Sequence, residues 1–209
     1  QLVLMRDHLK YEIIGQTLDD AAGEAFDKVA RILDIGYPGG PAVSKIAENY
    51  KPQTKNYDIA LPRPMLNRNN FDFSFSGLKT AVLYETKKHP QLLKDKKYVI
   101  EICHEFQQAT VDVLVSKTIK AARKYNPKTI MLAGGVAANS ELRKQLGEAI
   151  RENIPATKYQ IPDMEYTGDN AAMIATAACF RWQRTTKAQK GKALQNWKTL
   201  DTNANLKLK

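Results

Sequence analysis

The chain opens with two short apolar segments separated by a polar turn, a pattern that is typical of a β-hairpin. These segments cover residues 2–5 and 11–14 and are rich in aliphatic and aromatic side chains. Residues 19–33 follow with helical periodicity, because apolar side chains recur every three or four positions. Gly36 is well placed to end this helix. The sequence therefore predicts a hairpin followed by an amphipathic helix.

The middle of the chain alternates predicted helices with a long irregular segment. A second helix is predicted for residues 41–50, with a proline in its first turn. Residues 51–70 contain three prolines and no period, which predicts a loop. The alternating segment 71–75 predicts a strand that leads into a helix over residues 78–88. Residues 97–125 form the longest predicted helix.

A strand, a glycine pair and a helix follow one another in the C-terminal part. Residues 129–133 are a short apolar strand, the glycines occupy positions 134–135, and residues 139–151 are helical in pattern. A further strand is predicted at 158–161, and an apolar helix opens at Asp169. Strands mixed with helices in this way predict an α/β domain with a mixed sheet.

Charge changes this picture mainly at the C-terminus. The chain holds 32 Lys and Arg against 22 Asp and Glu, a net charge of +10, which suits a polyanionic partner without identifying one. Residues 184–209 contain seven basic residues and one acidic residue. We therefore predict a folded domain over residues 1–184 and a basic, disordered tail over residues 185–209, with an RNA-binding arm as the alternative for the tail.

The cysteines and the hydropathy exclude several classes of protein. Cys103 and Cys179 fall on apolar faces of predicted helices, so both are expected to be buried. Their spacing favours neither a disulfide framework nor a metal site, which suits a reducing, cytoplasmic setting. No apolar run approaches the length of a membrane span, so no membrane partner is expected.

A polar stripe on the first predicted helix is a candidate binding surface. Its members stand four, three and four positions apart and share one helix face: Asp20, Glu24, Asp27 and Arg31. Two glycines follow at positions 39–40 and allow a ligand to approach the backbone closely. A carboxylate beside such a loop suits ribose hydroxyls. The alternative is a solvated helix face with an Asp27–Arg31 ion pair.

The glycine pair at 134–135 is a second candidate. Between a strand and a helix, backbone amides and the positive helix end can cradle the phosphate of a nucleotide. No lysine follows in the register of a Walker motif. The alternative is a tight turn, with Asn139 serving as the N-cap of the next helix.

Asp169 is a third candidate, and its alternative is again a helix N-cap. One carboxylate is not a metal site, because divalent ions need several ligands. The three histidines show neither HxxxH nor HExxH spacing. The motifs of this chain therefore do not complete a metal site.

Taken together, these segments resemble the motifs of one enzyme family. The blocks are DDAAGEAFDK at 19–28, YPGGP at 37–41, FSFSGLKT at 73–80, GGVAAN at 134–139 and DNAAMIA at 169–175. In this order, over about residues 1–184, they are similar to the TsaD family. Its members were once described as O-sialoglycoprotein endopeptidases and are now understood as tRNA-modifying enzymes.

The resemblance implies both a fold and a reaction. The fold would be a ribonuclease-H-like, actin-like (ASKHA) lobe with helical insertions, incomplete at its N-terminal edge and without the N-terminal lobe. The reaction would be that of an acyltransferase, a tRNA N6-adenosine threonylcarbamoyltransferase. It would move threonylcarbamoyl from threonylcarbamoyl-adenylate to the exocyclic amine of the adenosine beside the anticodon. We expect this activity of the intact protein and not of the fragment alone.

The resemblance also implies roles for five residues of the candidate site. Asp27, Gly40 and Asn139 would contact the nucleoside part of the adenylate. Gly134 and Gly135 would allow close approach of the backbone. No residue of this sequence stands out as a general base.

A metal and several partners are implied as well. Asp169 would be one ligand of a divalent iron or zinc ion, but the family's HxxxH histidine pair and its Ser-Gly-Gly-His-Thr loop are absent from this sequence. The expected partners are tRNA, the threonylcarbamoyl-adenylate synthase and accessory subunits of the modification complex. An unpaired sheet edge before Leu2 would also allow a homodimer.

Two other interpretations stay open at this stage. One is a metallo-glycoprotease, as in the older description of the family, which would need a water-activating acid beside a histidine-rich zinc site. The other is a non-catalytic binding module that acts through partner contacts alone.

Overall fold

The computed structural model describes residues 1–196, 199 and 201, and this part of the chain is mostly helical. Its strands are β1 (Leu2–Asp7), β2 (Lys10–Gly15), β3 (Thr129–Met131) and β4 (Lys158–Gln160). Its helices are α1 (Ala22–Leu33), α2 (Gly39–Ala47), α3 (Ser76–Lys88), α4 (Lys96–Tyr125), α5 (Ser140–Asn153), α6 (Ala171–Gln183) and α7 (Lys187–Gln195). None of these helices is both long and apolar enough to cross a membrane.

Helices mixed with small sheets confirm the predicted α/β class, but the described strands do not join into the one mixed sheet that the sequence predicts. They form two separate two-stranded sheets, β1–β2 antiparallel and β3–β4 parallel. The predicted strand at 71–75 is reduced to one bridge between Thr17 and Phe73. It cannot extend this pairing because the amide of Phe75 donates to the Asp19 carboxylate instead.

Two apolar cores share helix α4, which has 30 residues. The larger core packs α1, α2 and α3 against the N-terminal half of α4. In this core the rings of Phe26 and Phe106 pack edge to face, with 5.0 Å between their centroids. The smaller core packs Val111 and Ile119 of α4 against α5. At about 1.5 Å per residue, α4 is about 45 Å long and spans both cores.

The long loop before α3 is irregular, but it is tied to α4 by acidic side chains. The carboxylate of the buried Glu101 accepts the amides of Asn56 and Tyr57 at 2.7 and 3.0 Å. Arg63 forms ion pairs with two further carboxylates of α4, one of them Glu105. Since these contacts satisfy backbone and charge, the loop takes one path, and a short 3-10 turn over Pro52–Thr54 is its only regular element among the described residues.

Helix α6 is apolar yet has no buried residue. Ile174 is 63% exposed, and the prediction that Cys179 is buried is wrong. The helix is tied to the turn of the hairpin at its C-terminal end, where Phe180 stacks on His8 at 3.8 Å between ring centroids. The apolar residues of α6 therefore lie on a helix surface that no described element covers.

Helix α7 (Lys187–Gln195) lies within the stretch for which the sequence predicts a disordered tail. A capping box starts this helix, because Thr186 and Gln189 each accept a hydrogen bond from the other's backbone amide. Lys190 lies over the ring of Trp182 at 5.1 Å. Residues 197, 198, 200 and 202–209 of the predicted tail lie outside the described residues.

Candidate nucleotide-binding site

Helix α1 places the Asp27 carboxylate against the first residue of α2. The Gly39 amide donates to Asp27 Oδ1 at 2.7 Å. The alternative Asp27–Arg31 ion pair is not formed among the described residues. Lys28 is instead the cation of this stripe, and it pairs with two acids at 2.7 and 2.8 Å. Asp27 Oδ2 takes no hydrogen bond from the described residues and is free to accept one.

The two glycines at the start of α2 face very different surroundings. A Cβ on Gly39 would lie 2.4 Å from Asp27 Cα and 2.6 Å from the Phe26 carbonyl oxygen. A Cβ on Gly40 would meet nothing within 4 Å. Gly39, for which the family resemblance implied no ligand contact, therefore permits the close contact of α1 and α2. Gly40, which it did select, borders open space.

Asn139 is the N-cap of α5, so that interpretation of the residue is confirmed. Its Oδ1 accepts the Leu142 amide at 2.8 Å. Its Nδ2 donates to Ser44 Oγ of α2 at 3.0 Å and to Gln107 Oε1 of α4 at 2.9 Å. Gln107 is a further site residue that the sequence pattern did not reveal, since it is a buried polar side chain in an otherwise apolar helix face.

The glycine pair forms an open turn beside α1. Gly134 has φ +86°, which favours glycine, and a short 3-10 turn follows over Gly135–Ala138. No atom lies within 4 Å of a Cβ built on either glycine. The turn packs on α1, where a Cβ on Gly23 would lie 3.5 Å from Val136 Cγ2. The backbone of the pair is thus accessible.

Three of the predicted site residues therefore meet at α2, and the glycine turn adjoins them. Asp27 holds the first residue of α2, Gly40 lies in its first turn, and Asn139 holds its middle through Ser44. The glycine turn ends at Asn139 and contacts α1. The site is an open face, because a Cβ on Gly40, Gly134 or Gly135 would meet nothing within 4 Å. A separate cleft between α4 and α5 has none of these residues in its wall.

Asp19 joins the block at 73–80 to its own block at 19–28. Its carboxylate accepts the Ser74 hydroxyl and the amides of Phe75 and Ser76, the last two at 2.8 and 3.2 Å. It thereby caps helix α3 from a position distant in the chain. Burial opposes ionisation of this carboxyl, but the hydrogen bonds outweigh it, and the pKa of Asp19 is lowered.

Asp20 lies beside this cap and is incompletely satisfied. Its Oδ1 pairs with Lys28, and its backbone amide donates to Ser76 Oγ at 3.4 Å. Its Oδ2 is buried and has no hydrogen-bond partner among the described residues. An unpaired buried oxygen costs roughly 1–3 kcal/mol, so this acid is not placed there for stability alone.

Asp169 is not part of this arrangement in the described residues. The N-cap of α6 is Asn170, whose Oδ1 accepts the Met173 amide at 2.9 Å, so the N-cap prediction for Asp169 is wrong. Asp169 is exposed and stands one position before the cap, because Asn170 alone reaches the first free amides. No group of three or more metal-ligating side chains occurs among residues 1–196, 199 and 201, so these residues alone do not fit a divalent ion.

Comparison with known proteins places this arrangement in one family. The model of the TsaD family, described as tRNA N6-adenosine threonylcarbamoyltransferase, matches residues 1–176. The chain is similar to proteins of that name from Thermosipho africanus, at 44% identity over 209 residues, and from Syntrophomonas wolfei, at 48% over 181 residues. These matches cover 100% and 87% of this chain but 58% and 51% of the relatives.

A third relative gives the same picture. The protein of this name from Ralstonia pickettii is 47% identical over 176 residues, which are 83% of this chain and 49% of the relative. The chain thus spans about half the length of the curated relatives it matches. The family match covers both blocks that meet at Asp19 and the residues gathered around α2, and the chain therefore belongs to the TsaD family.

Proposed function

We propose that this chain is the nucleotide-binding part of a tRNA N6-adenosine threonylcarbamoyltransferase. The observation that carries the proposal is the family match over residues 1–176, within which Asp27, Gly40 and Asn139 gather around one short helix. The fold of residues 1–184 would then be an actin-like lobe. The partners would be tRNA and the synthase that makes threonylcarbamoyl-adenylate, with accessory subunits of the modification complex.

The open face suits the adenylate part of such a donor. Asp27 Oδ2 is available to a ribose hydroxyl, since only Oδ1 is occupied by Gly39. Gly40 and the pair Gly134–Gly135 offer backbone without an obstructing side chain. The N-terminus of α2 adds a partial positive charge, which favours a phosphate nearby. Asn139 would act mainly by holding α2, because its side chain already makes three hydrogen bonds.

The proposed reaction is an acyl transfer between two held groups. The exocyclic amine of adenosine attacks the carbonyl carbon of the mixed anhydride, an N–C bond forms, and the C–O bond to phosphate breaks. Adenylate leaves with the bonding electron pair, and the amine loses a proton. Because this amine is a poor nucleophile, orientation and stabilisation of the developing charge should supply most of the rate.

Metal binding is a further role proposed for the intact protein. Asp169 is proposed as one ligand of an iron or zinc ion, on the family resemblance alone. It is exposed and belongs to no group of three or more metal-ligating side chains among the described residues. This chain would act by binding and orienting the two reacting groups.

The transferase is favoured over the metallo-glycoprotease because the similar proteins carry the name of the transferase. The test is mass analysis of tRNA nucleosides in cells that lack the full gene. Complementation with the gene should restore threonylcarbamoyladenosine, and Asp27→Ala should abolish it. Glu24→Ala is the matched control, since Glu24 lies on the same polar stripe but pairs with Lys28.

Three outcomes would contradict the proposal or limit it. An unchanged nucleoside profile in the deletion strain would refute the transferase. Equal activity of the Asp27 and Glu24 variants would refute the assigned site. The purified chain alone, supplied with synthase, threonine, bicarbonate, ATP and unmodified tRNA, should not reach the rate of the intact protein; if it does, the chain is a complete enzyme.

A further inference from the structure

The C-terminal end of α4 carries a concentration of cations without acids. Between positions 113 and 140 the sequence has no Asp or Glu. The same stretch contains Lys117, Lys120, Arg123, Lys124 and Lys128. Lys117 is buried, and the other four are exposed or half-buried. Cations are common in the last turn of a helix, where they complement its dipole. Cations on neighbouring elements are therefore needed to distinguish a binding surface from an ordinary helix end.

The loop before α3 adds a cation to this end. The buried Lys117 donates from Nζ to the carbonyl oxygens of Arg68 and Asn70, at 3.3 and 2.8 Å. Lys120 Nζ donates to the same Arg68 carbonyl at 3.0 Å. These bonds fix the backbone of the loop on α4, while the Arg68 side chain stays exposed.

Two aromatic rings lie within this charged surface. Lys124 Nζ is 5.5 Å from the centre of the Phe71 ring and 5.3 Å from that of Tyr125. The two rings are themselves 5.9 Å apart. A lysine held over rings keeps its ammonium group at a fixed place near the surface, where it can meet an anion.

Helix α5 and strand β4 complete the surface on the other side of α4. Arg123 donates to Asn153 at the end of α5. The Lys158 amide donates to the Lys128 carbonyl at 2.9 Å, which joins β4 to the segment after α4. Arg151, in the last turn of α5, is also exposed. Cations from a loop, two helices and a strand therefore share one end of the molecule.

These cations are not neutralised within the described part of the chain. The seven exposed or half-buried members of this basic end have no ion pair with a described residue: Arg68, Lys120, Arg123, Lys124, Lys128, Arg151 and Lys158. Lys28, Lys55 and Arg63, by contrast, each pair with a carboxylate. The nearby acids Asp72 and Glu152 form no ion pair with any of them.

We propose that this basic end binds the phosphate backbone of RNA, at a distance from the candidate nucleotide-binding site. The inference rests on the proposed function, because it takes tRNA as the RNA. Gln107 marks the site along α4, and Lys124 lies about 25 Å further along the same helix. Contacts to phosphates position a nucleic acid without reading its sequence, so this surface would hold the tRNA while another part reacts.

The experiment measures binding of the full chain to unmodified tRNA by fluorescence anisotropy over a range of salt concentrations. The variant is Lys120→Gln, Arg123→Gln, Lys124→Gln. The matched control is Lys94→Gln, Lys96→Gln, Lys97→Gln, which removes the same charge from exposed positions at the opposite end of α4. Circular dichroism and thermal unfolding establish that both triple variants are folded.

We expect the basic-end variant to bind tRNA at least about tenfold more weakly at moderate salt. The plot of the logarithm of the association constant against the logarithm of the salt concentration has a negative slope. Its magnitude should decrease by about three, since each lost phosphate contact removes about one. The control should keep the affinity and slope of the unchanged chain. Lys120→Arg with Lys124→Arg should also keep them, because charge rather than side-chain shape carries the contact.

Several results would overturn the inference. Equal losses of tRNA affinity in the basic-end variant and its control would mean that net charge alone attracts RNA. A further triple variant changes α7: Lys187→Gln, Lys190→Gln, Lys192→Gln. A loss of tRNA affinity in this variant alone would assign binding to α7. An unchanged chain that binds no tRNA at low salt would also refute it. The nucleoside assay tests the proposed function separately from the binding assay. If modification depends on Asp27 but the basic-end variant binds tRNA with full affinity, the RNA-binding role of the basic end is refuted and the proposed function is not.

Discussion

Replacing Gly39 by alanine should separate the architectural glycine of α2 from the one that borders open space. The new Cβ would lie 2.4 Å from Asp27 Cα and 2.6 Å from the Phe26 carbonyl, both of which are backbone atoms that cannot turn away. Helix α2 would have to move, and the 2.7 Å bond from the Gly39 amide to Asp27 would weaken or break. Overpacking costs about 1–3 kcal/mol, and a lost bond to a charged group about 1.5–3 kcal/mol.

Together these terms destabilise the variant by about 3 kcal/mol, which corresponds to a fall in Tm of about 6–12 °C for a chain of this size. Gly40→Ala is the matched control, since its Cβ meets nothing within 4 Å and alanine is the better helix former. Its stability should lie within about 1 kcal/mol of the unchanged chain. Thermal and urea unfolding followed by circular dichroism measure both.

The affinity for adenosine monophosphate, measured for Gly40→Ala and for the unchanged chain, tests whether Gly40 belongs to the binding site. Gly40→Ala should weaken binding without loss of stability, because its methyl group would occupy the accessible backbone of the proposed site. Equal stability of the Gly39 and Gly40 variants would refute the packing argument. Equal binding by Gly40→Ala and the unchanged chain would remove Gly40 from the site.

Three further substitutions test other contacts. Asp19→Asn should lower the free energy of unfolding at neutral pH. Because the pKa of Asp19 is lowered from 3.8 in the folded chain, the stability that its carboxylate contributes is present above 3.8 and is lost as the pH falls through the folded pKa. The unfolding free energies of the variant and the unchanged chain, measured in urea, should therefore converge in acid. Glu101→Ala should cost about 2–3 kcal/mol and speed proteolysis within residues 51–70, whose amides it leaves unpaired. Asn139→Ala should cost about 2–3 kcal/mol by removing a cap and a Gln107 contact, whereas Asn139→Asp should keep the cap; equal unfolding energies would contradict this.

The sequence predicted those elements whose pattern is local. The hairpin, α1 and α4 follow from alternation or helical periodicity within each segment, and they are found close to the predicted bounds. The family blocks also pointed to Asp27 and Gly40, which the structure brings to the same helix end. In these cases neighbours in the chain determine the result.

The remaining features depend on partners far away in the chain. Asp19 caps α3 from 56 positions before Phe75, and no local pattern shows this. The apolar period of α6 predicted burial, but no described element covers it. Asn170 rather than Asp169 caps α6, because two adjacent cap-forming residues cannot be ranked without the backbone path. Periodicity identifies an element but not its neighbours.

The shared helix α4 has a consequence for how the molecule opens. Phe106 belongs to the larger core and Val111 to the smaller one, only about one and a half turns further along. Neither core can lose its packing without exposing part of the helix that supports the other. Amide hydrogens in α1 and α5 should therefore exchange with solvent through one common opening, with similar free energies, although these two helices belong to different cores.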